Sequence, residues 1–226
     1  MDYNISDIKS EVRVAMDENR TSSSLADFGD VDTLSLDELI ESKIVDAVRL
    51  LECSVPASLI DNDVQLGEAD SSTGKITISI NWRSAIGVGP GTINLPSDFM
   101  RLVMFRMSDW SRNGKIITED SPEYVLQSSR YPGVRGNPQA PVVAVVKRQG
   151  GYALEFYSSS AGESVFVRYA SYLKEPEIKG GKISISSKLE RPVIYEAAEM
   201  TALSLGEKDM AENLNVILKN LLAPKQ

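Results

Sequence analysis

The residues that could do chemistry are few, and none forms a recognised catalytic arrangement. The chain has no histidine among its 226 residues, which removes the commonest general base and excludes Ser–His–Asp and Cys–His catalysis within one chain. Carboxylate pairs such as Glu119–Asp120 and Glu175/Glu177 occur, but no spacing marks them as an acid–base pair. A carboxylate-dependent hydrolase is therefore the least favoured class. We expect no enzymatic activity, no catalytic residue, no cofactor and no metal site.

Two segments resemble ligand-binding loops only in part. Asp61–Ser72 is the most acidic short cluster, but Leu66 stands where a calcium loop needs glycine, and Ser72 where it needs glutamate. Gly87–Thr92 (GVGPGT) misplaces the third glycine of a dinucleotide loop and loses an amide donor at Pro90. We interpret the first as a solvated loop and the second as a β bend. Cys53, the only cysteine, is predicted to be buried packing.

Arginine and aromatic residues concentrate in the central third of the chain, where they could form an interface or simply pair with local carboxylates. Residues 128–141 contain three prolines and two arginines, which predicts a long exposed loop with a role in function or assembly. The candidate interface residues are Arg101, Arg106, Trp110, Arg130, Tyr131 and Arg135.

Composition narrows the function classes further. The net charge of −8 argues against general nucleic-acid binding, which needs lysine and arginine to displace counterions from phosphate. No apolar run approaches the roughly 20 residues that span a bilayer, and the first residues lack the apolar core of a signal peptide. We therefore expect no membrane contact and synthesis in a thiol-reducing compartment.

Helical periodicity marks both ends of the chain. Apolar residues at three- and four-residue spacing predict helices over residues 5–18 and 36–53, the second opened by a Ser35/Glu38 capping box. A polar loop is expected over 19–34. Towards the C-terminus, a helix beginning near Pro192 and ending near Gly206 is followed by another over residues 210–221.

Alternating apolar and polar residues mark the middle of the chain as β structure. Residues 75–82 (KITISINW) alternate strictly, and a hairpin is predicted with strands 141–148 and 152–158. Leu95–Met107 is predicted to be a short turn followed by a strand, with Val103, Phe105 and Met107 facing the core. The fold class expected is α+β: a four-helix bundle with an antiparallel β-rich domain inserted between helices 2 and 3. The corresponding parts are residues 1–66, 67–189 and 190–226.

The order of several segments resembles one family. INLPSDFMRLVMFRMSDWSR, EYVLQSSRYPGVRGNPQAPVVAVV, GGYALEFYSS and RYASYL follow one another between two pairs of helices. This succession resembles the head–tail adaptor proteins of short-tailed bacteriophages, and within that group it is most similar to the neck ring proteins of crAss-like phages. No single motif is diagnostic, and no family contact residue is carried over.

The resemblance implies a non-enzymatic virion component at the head–tail junction, made in the host cytoplasm. Its partners would be further copies in a homo-oligomeric ring of twelve, the portal protein, and downstream tail or neck proteins. DNA would pass through the channel without specific binding, and an acidic ring would repel its phosphates. The alternative hypothesis is a β-domain binding module for carbohydrate or another surface ligand, suggested by tyrosine and tryptophan in the β region.

Overall fold

The structure is a computed structural model that describes residues 1–18, 35–82, 91–129, 131, 133–159, 162 and 164–223. The helices are α1 (Ile5–Glu18), α2 (Leu36–Ser54), α3 (Pro122–Leu126), α4 (Glu190–Ser204) and α5 (Lys208–Leu222). The strands are β1 (Asp2–Asn4), β2 (Val64–Gln65), β3 (Glu68–Asp70), β4 (Lys75–Thr77), β5 (Asn81–Trp82), β6 (Gly91–Asn94), β7 (Phe99–Met107), β8 (Lys115–Thr118), β9 (Val142–Arg148), β10 (Gly151–Phe156), β11 (Val167–Lys174) and β12 (Lys182–Ser184).

The chain divides into two compact units. Met1–Asn62 and Glu175–Gln226 form one, here called the helical unit, and Asp63–Lys174 form the other, here called the β unit. The helical unit contains α1, α2, α4 and α5, and the β unit contains α3 with most of the strands.

The predicted fold class is wrong. The described residues form five helices and twelve strands in three sheets, 38% helical and 30% strand, which is a β-rich α+β fold rather than a four-helix bundle with an inserted domain. One sheet, β1 with β12, belongs to the helical unit itself. The β unit is not purely antiparallel either, because β8 and β9 run parallel. β1 pairs with β12 although Asp2 and Ser184 lie at distant positions in the sequence. Local periodicity does not reveal such a pairing, so the sequence did not predict this sheet.

The helices of the helical unit form where the apolar stripes predict them. The predicted helices 5–18 and 36–53 are confirmed as α1 and α2. Ser35 Oγ accepts from the Glu38 backbone N–H at 3.3 Å, and the Glu38 carboxylate accepts from the Ser35 N–H at 2.9 Å, which is the predicted capping box. In α4 the buried stripe includes Ala197, Ala198 and Ala202, small side chains that let α2 and α5 pack closely on either side.

The predicted burial of Cys53 is wrong. Its side chain is exposed, while the neighbouring Leu51 and Glu52 take the buried positions at the end of α2. Glu52 lies four residues after the buried Val48 and therefore on the same face of the helix. The buried position at this end of α2 is thus taken by a charged residue and not by Cys53. The described part of the chain contains no helix both long and apolar enough to cross a membrane.

The described residues of the β unit form two five-stranded sheets. One has the order β5-β6-β10-β9-β8, and in the other β2-β11-β4-β3 is joined by β7, which pairs with β11. The predicted hairpin is confirmed as β9 and β10, but residues 75–82 form two short strands, β4 and β5, instead of one. The core residues include Ile93, Phe99, Leu102, Phe105, Met107, Trp110, Val143, Leu154, Phe156 and Val167.

The core face of β7 differs from the predicted one. Phe105 and Met107 are fully buried as predicted, but Leu102 replaces Val103, which is only half-buried. The reason is a bulge: Tyr172 of β11 pairs with Leu102 while Ser171 pairs with Met104, so Val103 has no partner. An extra residue reverses the alternation of side chains. The predicted loop 19–34 and residues 87–90 of the predicted bend lie outside the described residues.

Candidate functional site

Four large apolar side chains of the β unit are exposed within ten residues of one another. Val125 is 73% exposed, Leu126 46%, Tyr131 74% and Val134 49%. We call the described residues of this stretch, 122–129, 131 and 133–136, the apolar segment. Scattered exposed apolar residues are ordinary, but a concentration on one short segment is typical of a protein-binding surface.

The start of the apolar segment is fixed by helix capping. Ser121 Oγ accepts from the Glu123 N–H at 3.4 Å, and Pro122 occupies the first turn of α3, where a missing N–H costs nothing. Lys115 Nζ of β8 lies 2.6 and 2.7 Å from the two oxygens of Glu123. The short helix is therefore tied to the edge strand beside it.

A buried glutamine joins the two ends of the apolar segment. Gln127 is 4% exposed; its Nε2 donates to the Glu123 carbonyl at 3.1 Å, and its Oε1 accepts from the Gly136 N–H at 2.9 Å. A Cβ on Gly136 would lie 2.6 Å from Ser158 Oγ and 2.9 Å from the Val142 nitrogen, so this close approach requires glycine. The segment is thus clamped while its apolar side chains remain exposed.

Beneath α3 lies a charged network centred on Glu155, which is 1% exposed. Arg148 Nη2 donates to its Oε1 at 2.6 Å, while the hydroxyls of Tyr124 and Tyr157 donate to its Oε2 at 2.9 and 2.8 Å. Arg148 also reaches the Tyr124 hydroxyl at 3.0 Å and Glu119 at 3.0 Å. Burial alone would raise the pKa of Glu155, but these donors outweigh it and leave the pKa below its ordinary value. Tyr124 therefore anchors α3 through a fixed charge.

The six sequence-predicted interface residues separate into different environments. Arg106 of β7 donates to the carbonyls of Trp110 and Ser111 at 3.1 and 3.2 Å, and Trp110 is 2% exposed, packed edge-on against Phe105. Both brace the core and the turn after β7. Arg101 is half-buried in β7.

Two of the remaining three lie in the apolar segment. The Tyr131 carbonyl accepts from the backbone N–H groups of Val134 and Arg135 at 2.9 and 3.2 Å, which closes a turn. Arg135 is half-buried, and its Nε is buried with no hydrogen bond to any residue that the structure describes. Arg130 lies outside the described residues.

Sequence reasoning missed Val125, Leu126 and Val134, and it missed the network under them. One signal was present: Glu155 interrupts the apolar run ALEF within a predicted strand, and a charge at a buried position needs a partner. No signal for the partner existed, because Arg148 comes from the neighbouring strand β9 and Tyr124 from α3.

The helical unit carries a second exposed apolar surface. Shallow grooves run along both sides of α4: one is lined by Leu50, Cys53, Met200 and Leu203, and the other by Leu203, Ala211 and Val216 among others. Leu203, 54% exposed, is shared by both. We call Leu50, Cys53, Met200, Leu203 and Val216 the helical strip.

The chain was compared with protein-family models and with curated proteins. No protein-family model matches the chain, and no curated protein matches it. No group of three or more His, Cys, Asp or Glu side chains within the described ranges is placed to hold a metal ion.

Proposed function

We propose that the protein is a structural subunit of a bacteriophage virion, a head–tail adaptor. Twelve copies assemble into a ring that docks on the portal, extends the DNA channel and supports attachment of tail or neck proteins. The proposal is motivated by the ordered set of segments around LPSDF. The observation that carries it is that the chain presents two dissimilar apolar surfaces, the apolar segment and the helical strip.

Two dissimilar surfaces are what a ring subunit needs. In a ring, each copy uses one surface towards the preceding copy and a different one towards the next, whereas a two-fold dimer uses one surface twice. The apolar segment is held by Gln127 and Gly136, so little conformational entropy is lost when it binds. We assign it to the contact with the helical strip of the next copy.

Charge supports the same assignment. The helical unit has 22 acidic and 12 basic residues, a net charge of −10, and the β unit has 10 acidic and 12 basic, a net charge of +2. Opposite net charge steers the β unit of one copy towards the helical unit of another. The negative total also keeps DNA phosphates from adhering to the channel.

Assembly with the portal is the direct test. Light scattering coupled to size-exclusion chromatography, then electron microscopy with purified portal, should show a ring seated on the portal. A chain that stays monomeric and does not bind portal under any assembly condition would contradict the proposal.

Complementing variants test the pairing of the two surfaces. Tyr131→Asp in the apolar segment and Leu203→Asp in the helical strip should each prevent rings, yet a 1:1 mixture should form heterodimers, since one intact copy of each surface remains. Val14→Asp, at a 52% exposed site of α1 outside the strip, is the control and should still form rings. Rings from either surface variant would show that other faces carry the contact.

The only cysteine offers a second test of the pairing. Cys53 lies in the helical strip and is exposed, so a short bis-maleimide should link it to Val134→Cys of a neighbouring copy. Ser71→Cys, an exposed position of the β unit outside the apolar segment, is the control. Equal cross-linking at both positions would contradict the assignment.

A further inference from the structure

The connection between β7 and β8 contains the one Asn–Gly pair of the chain, Asn113–Gly114. The Asn113 side chain is exposed, and its carboxamide makes no hydrogen bond to any residue that the structure describes. An asparagine followed by glycine is the pair that most readily loses ammonia without an enzyme, because glycine has no Cβ to keep its nitrogen from reaching the asparagine side-chain carbon. The exposed connection therefore presents a chemically labile group.

The packing around Gly114 requires glycine at this position. A Cβ on Gly114 would lie 2.4 Å from Val143 Cγ2 and 2.9 Å from Trp110 Cζ3. Both neighbours are buried in the core of the β unit, where close packing leaves them little room to move aside. The residue that makes Asn113 labile is therefore one that the fold cannot exchange for a larger residue.

One hydrogen bond restrains the reaction in the folded chain. The Gly114 N–H donates to the Phe105 carbonyl at 2.9 Å, and this nitrogen must lose its hydrogen before it can attack Asn113. The next residue is held as well, since the Lys115 N–H donates to the Pro141 carbonyl at 2.8 Å. Attack therefore requires a local opening of the connection, and such openings occur in folded proteins without global unfolding.

We propose that Asn113 is a site of spontaneous deamidation and that the reaction requires opening of the hydrogen bond between Gly114 and Phe105. Hydroxide removes the Gly114 amide proton, the nitrogen forms a bond to Asn113 Cγ, and the side-chain nitrogen takes a proton from water and leaves as ammonia. A second water molecule then opens the five-membered succinimide ring. Opening at Cγ gives aspartate, and opening at the backbone carbonyl carbon gives isoaspartate, in which the main chain runs through Cγ.

The two products differ in their effect on the fold. Aspartate adds one negative charge at an exposed position and leaves the backbone unchanged, so we expect little change in stability. Isoaspartate lengthens the main chain by one carbon directly before Gly114, which moves the glycine away from Trp110, Val143 and the Phe105 carbonyl. The isoaspartate form should therefore unfold at a lower denaturant concentration, and tryptophan fluorescence measures this because Trp110 packs against the displaced residue.

Peptide mass spectrometry of the full folded chain, aged in mildly alkaline buffer, tests the proposal. Digestion with a protease that cleaves before aspartate releases residues 109–119, in which Asn113 is the only asparagine and no glutamine occurs. The aspartate product creates a new cleavage point at residue 113, whereas the isoaspartate product gains the same mass and is not cleaved there. Asn113→Gln is the control, because glutamine would need a slower six-membered ring, and its peptide should stay unmodified.

Ageing the same chain unfolded in guanidinium measures the restraint imposed by the fold. We expect deamidation to be about tenfold faster or more in the unfolded chain, the factor that one hydrogen bond of ordinary strength accounts for. Equal rates in the two states would contradict the restraint. A folded chain that stays unmodified after the unfolded chain has fully reacted would overturn the site, and so would an equal mass gain in Asn113→Gln. Residues 109–119 lie outside the apolar segment and the helical strip, so these outcomes do not depend on the proposed ring.

Discussion

The helical unit and the β unit treat a deeply buried glutamate in opposite ways. Glu52 of α2 is 2% exposed and Glu155 of β10 is 1% exposed. Glu52 Oε1 accepts from the Asn62 amide at 2.8 Å and the Ser186 N–H at 3.3 Å. Glu155 is held by the Arg148 guanidinium and two tyrosine hydroxyls. The amide donors to Glu52 are neutral, with the N-terminal ammonium and Asp61 acting on it in opposite directions, whereas a guanidinium donates directly to Glu155.

The direction of each pKa follows from that difference. Burial raises the pKa of Glu52, and the hydrogen bonds from Asn62 and Ser186 offset it only in part. Burial acts on Glu155 as well, but Arg148 and the tyrosine hydroxyls outweigh it, so its pKa is lowered. Burial alone therefore does not decide how a carboxylate affects stability; the charge of its donors does.

The two networks also serve different parts of the fold. Ser186 Oγ donates to Asn62 Oδ1 at 2.7 Å and accepts from the Asp61 N–H at 3.0 Å, so the Glu52 network joins the two separate chain parts of the helical unit. The Glu155 network instead ties α3, and with it the apolar segment, to β9 and β10. We infer that the Glu52 network holds the two chain parts of the helical unit together and that the Glu155 network holds the apolar segment in place.

Removing the cation from the β unit should have the largest effect. Arg148→Met leaves Glu155 buried without compensation, which typically costs about 3 kcal/mol or more. The β unit should therefore unfold at lower denaturant concentration. Fluorescence reports this directly, because both tryptophans, Trp82 and Trp110, lie in the β unit.

Lys174→Met is the matched control for Arg148→Met. Lys174 Nζ lies 3.2 Å from Asp98 with both side chains exposed by 40% or more, and such surface pairs contribute about 0–1 kcal/mol. Equal losses of unfolding free energy in the two variants would contradict the prediction, because the buried pair would then contribute no more to stability than a surface pair.

Removing one neutral donor from Glu155 should have an intermediate effect. Tyr157→Phe deletes a hydrogen bond to a charged acceptor, a loss of about 1.5 kcal/mol, while Arg148 and Tyr124 remain. The same fluorescence titration measures it, with Tyr152→Phe as the control at an exposed tyrosine. A loss as large as that of Arg148→Met would mean that the hydroxyls, rather than the cation, hold the charge.

The helices were predictable from sequence because their signals are local. The stripe Ile5, Ile8, Val12 and Met16 and the Ser35/Glu38 capping box lie within four-residue spacings, and all are present in the structure. The features that the sequence did not predict depend on partners distant in the chain. The bulge at Val103 exists only relative to β11, β1 is a strand only because β12 lies beside it, and Glu155 is compensated only because Arg148 is opposite.

Predictions for the candidate site also differ according to whether the signal is local or depends on distant partners. Tyr131 and Arg135 were predicted from composition as interface residues; Tyr131 is exposed, but Trp110, predicted in the same way, is inside the core. An aromatic residue near arginines has the same sequence signature whether it contacts a partner or fills a core. Exposure of Val125 and Val134 depends on the clamp between Gln127 and Gly136, which apolarity alone does not reveal.

The smallest effect, and the one with the opposite sign, is expected at Glu52. Glu52→Gln keeps an acceptor for Asn62 and Ser186 but removes the buried charge, so the helical unit should gain about 1 kcal/mol at neutral pH, the scale of an ordinary substitution. Hydrogen exchange of peptides from α2 and α4 measures the gain within this unit.

The pH dependence of stability should separate the two carboxylates further. Because the folded pKa of Glu52 is raised above 4.5, the native state binds its proton more tightly, and the stability of the helical unit falls as pH rises from about 4.5 through the raised value. Glu155 has the reverse sign: its contribution is present above about 4.5 and is lost as pH falls through its lowered folded pKa. Glu52→Gln should therefore flatten the first slope and leave the acid loss of the β unit unchanged. A helical unit that becomes less stable in Glu52→Gln at neutral pH would show that the Glu52 charge stabilises this unit, and the contrast between the two carboxylates would then disappear.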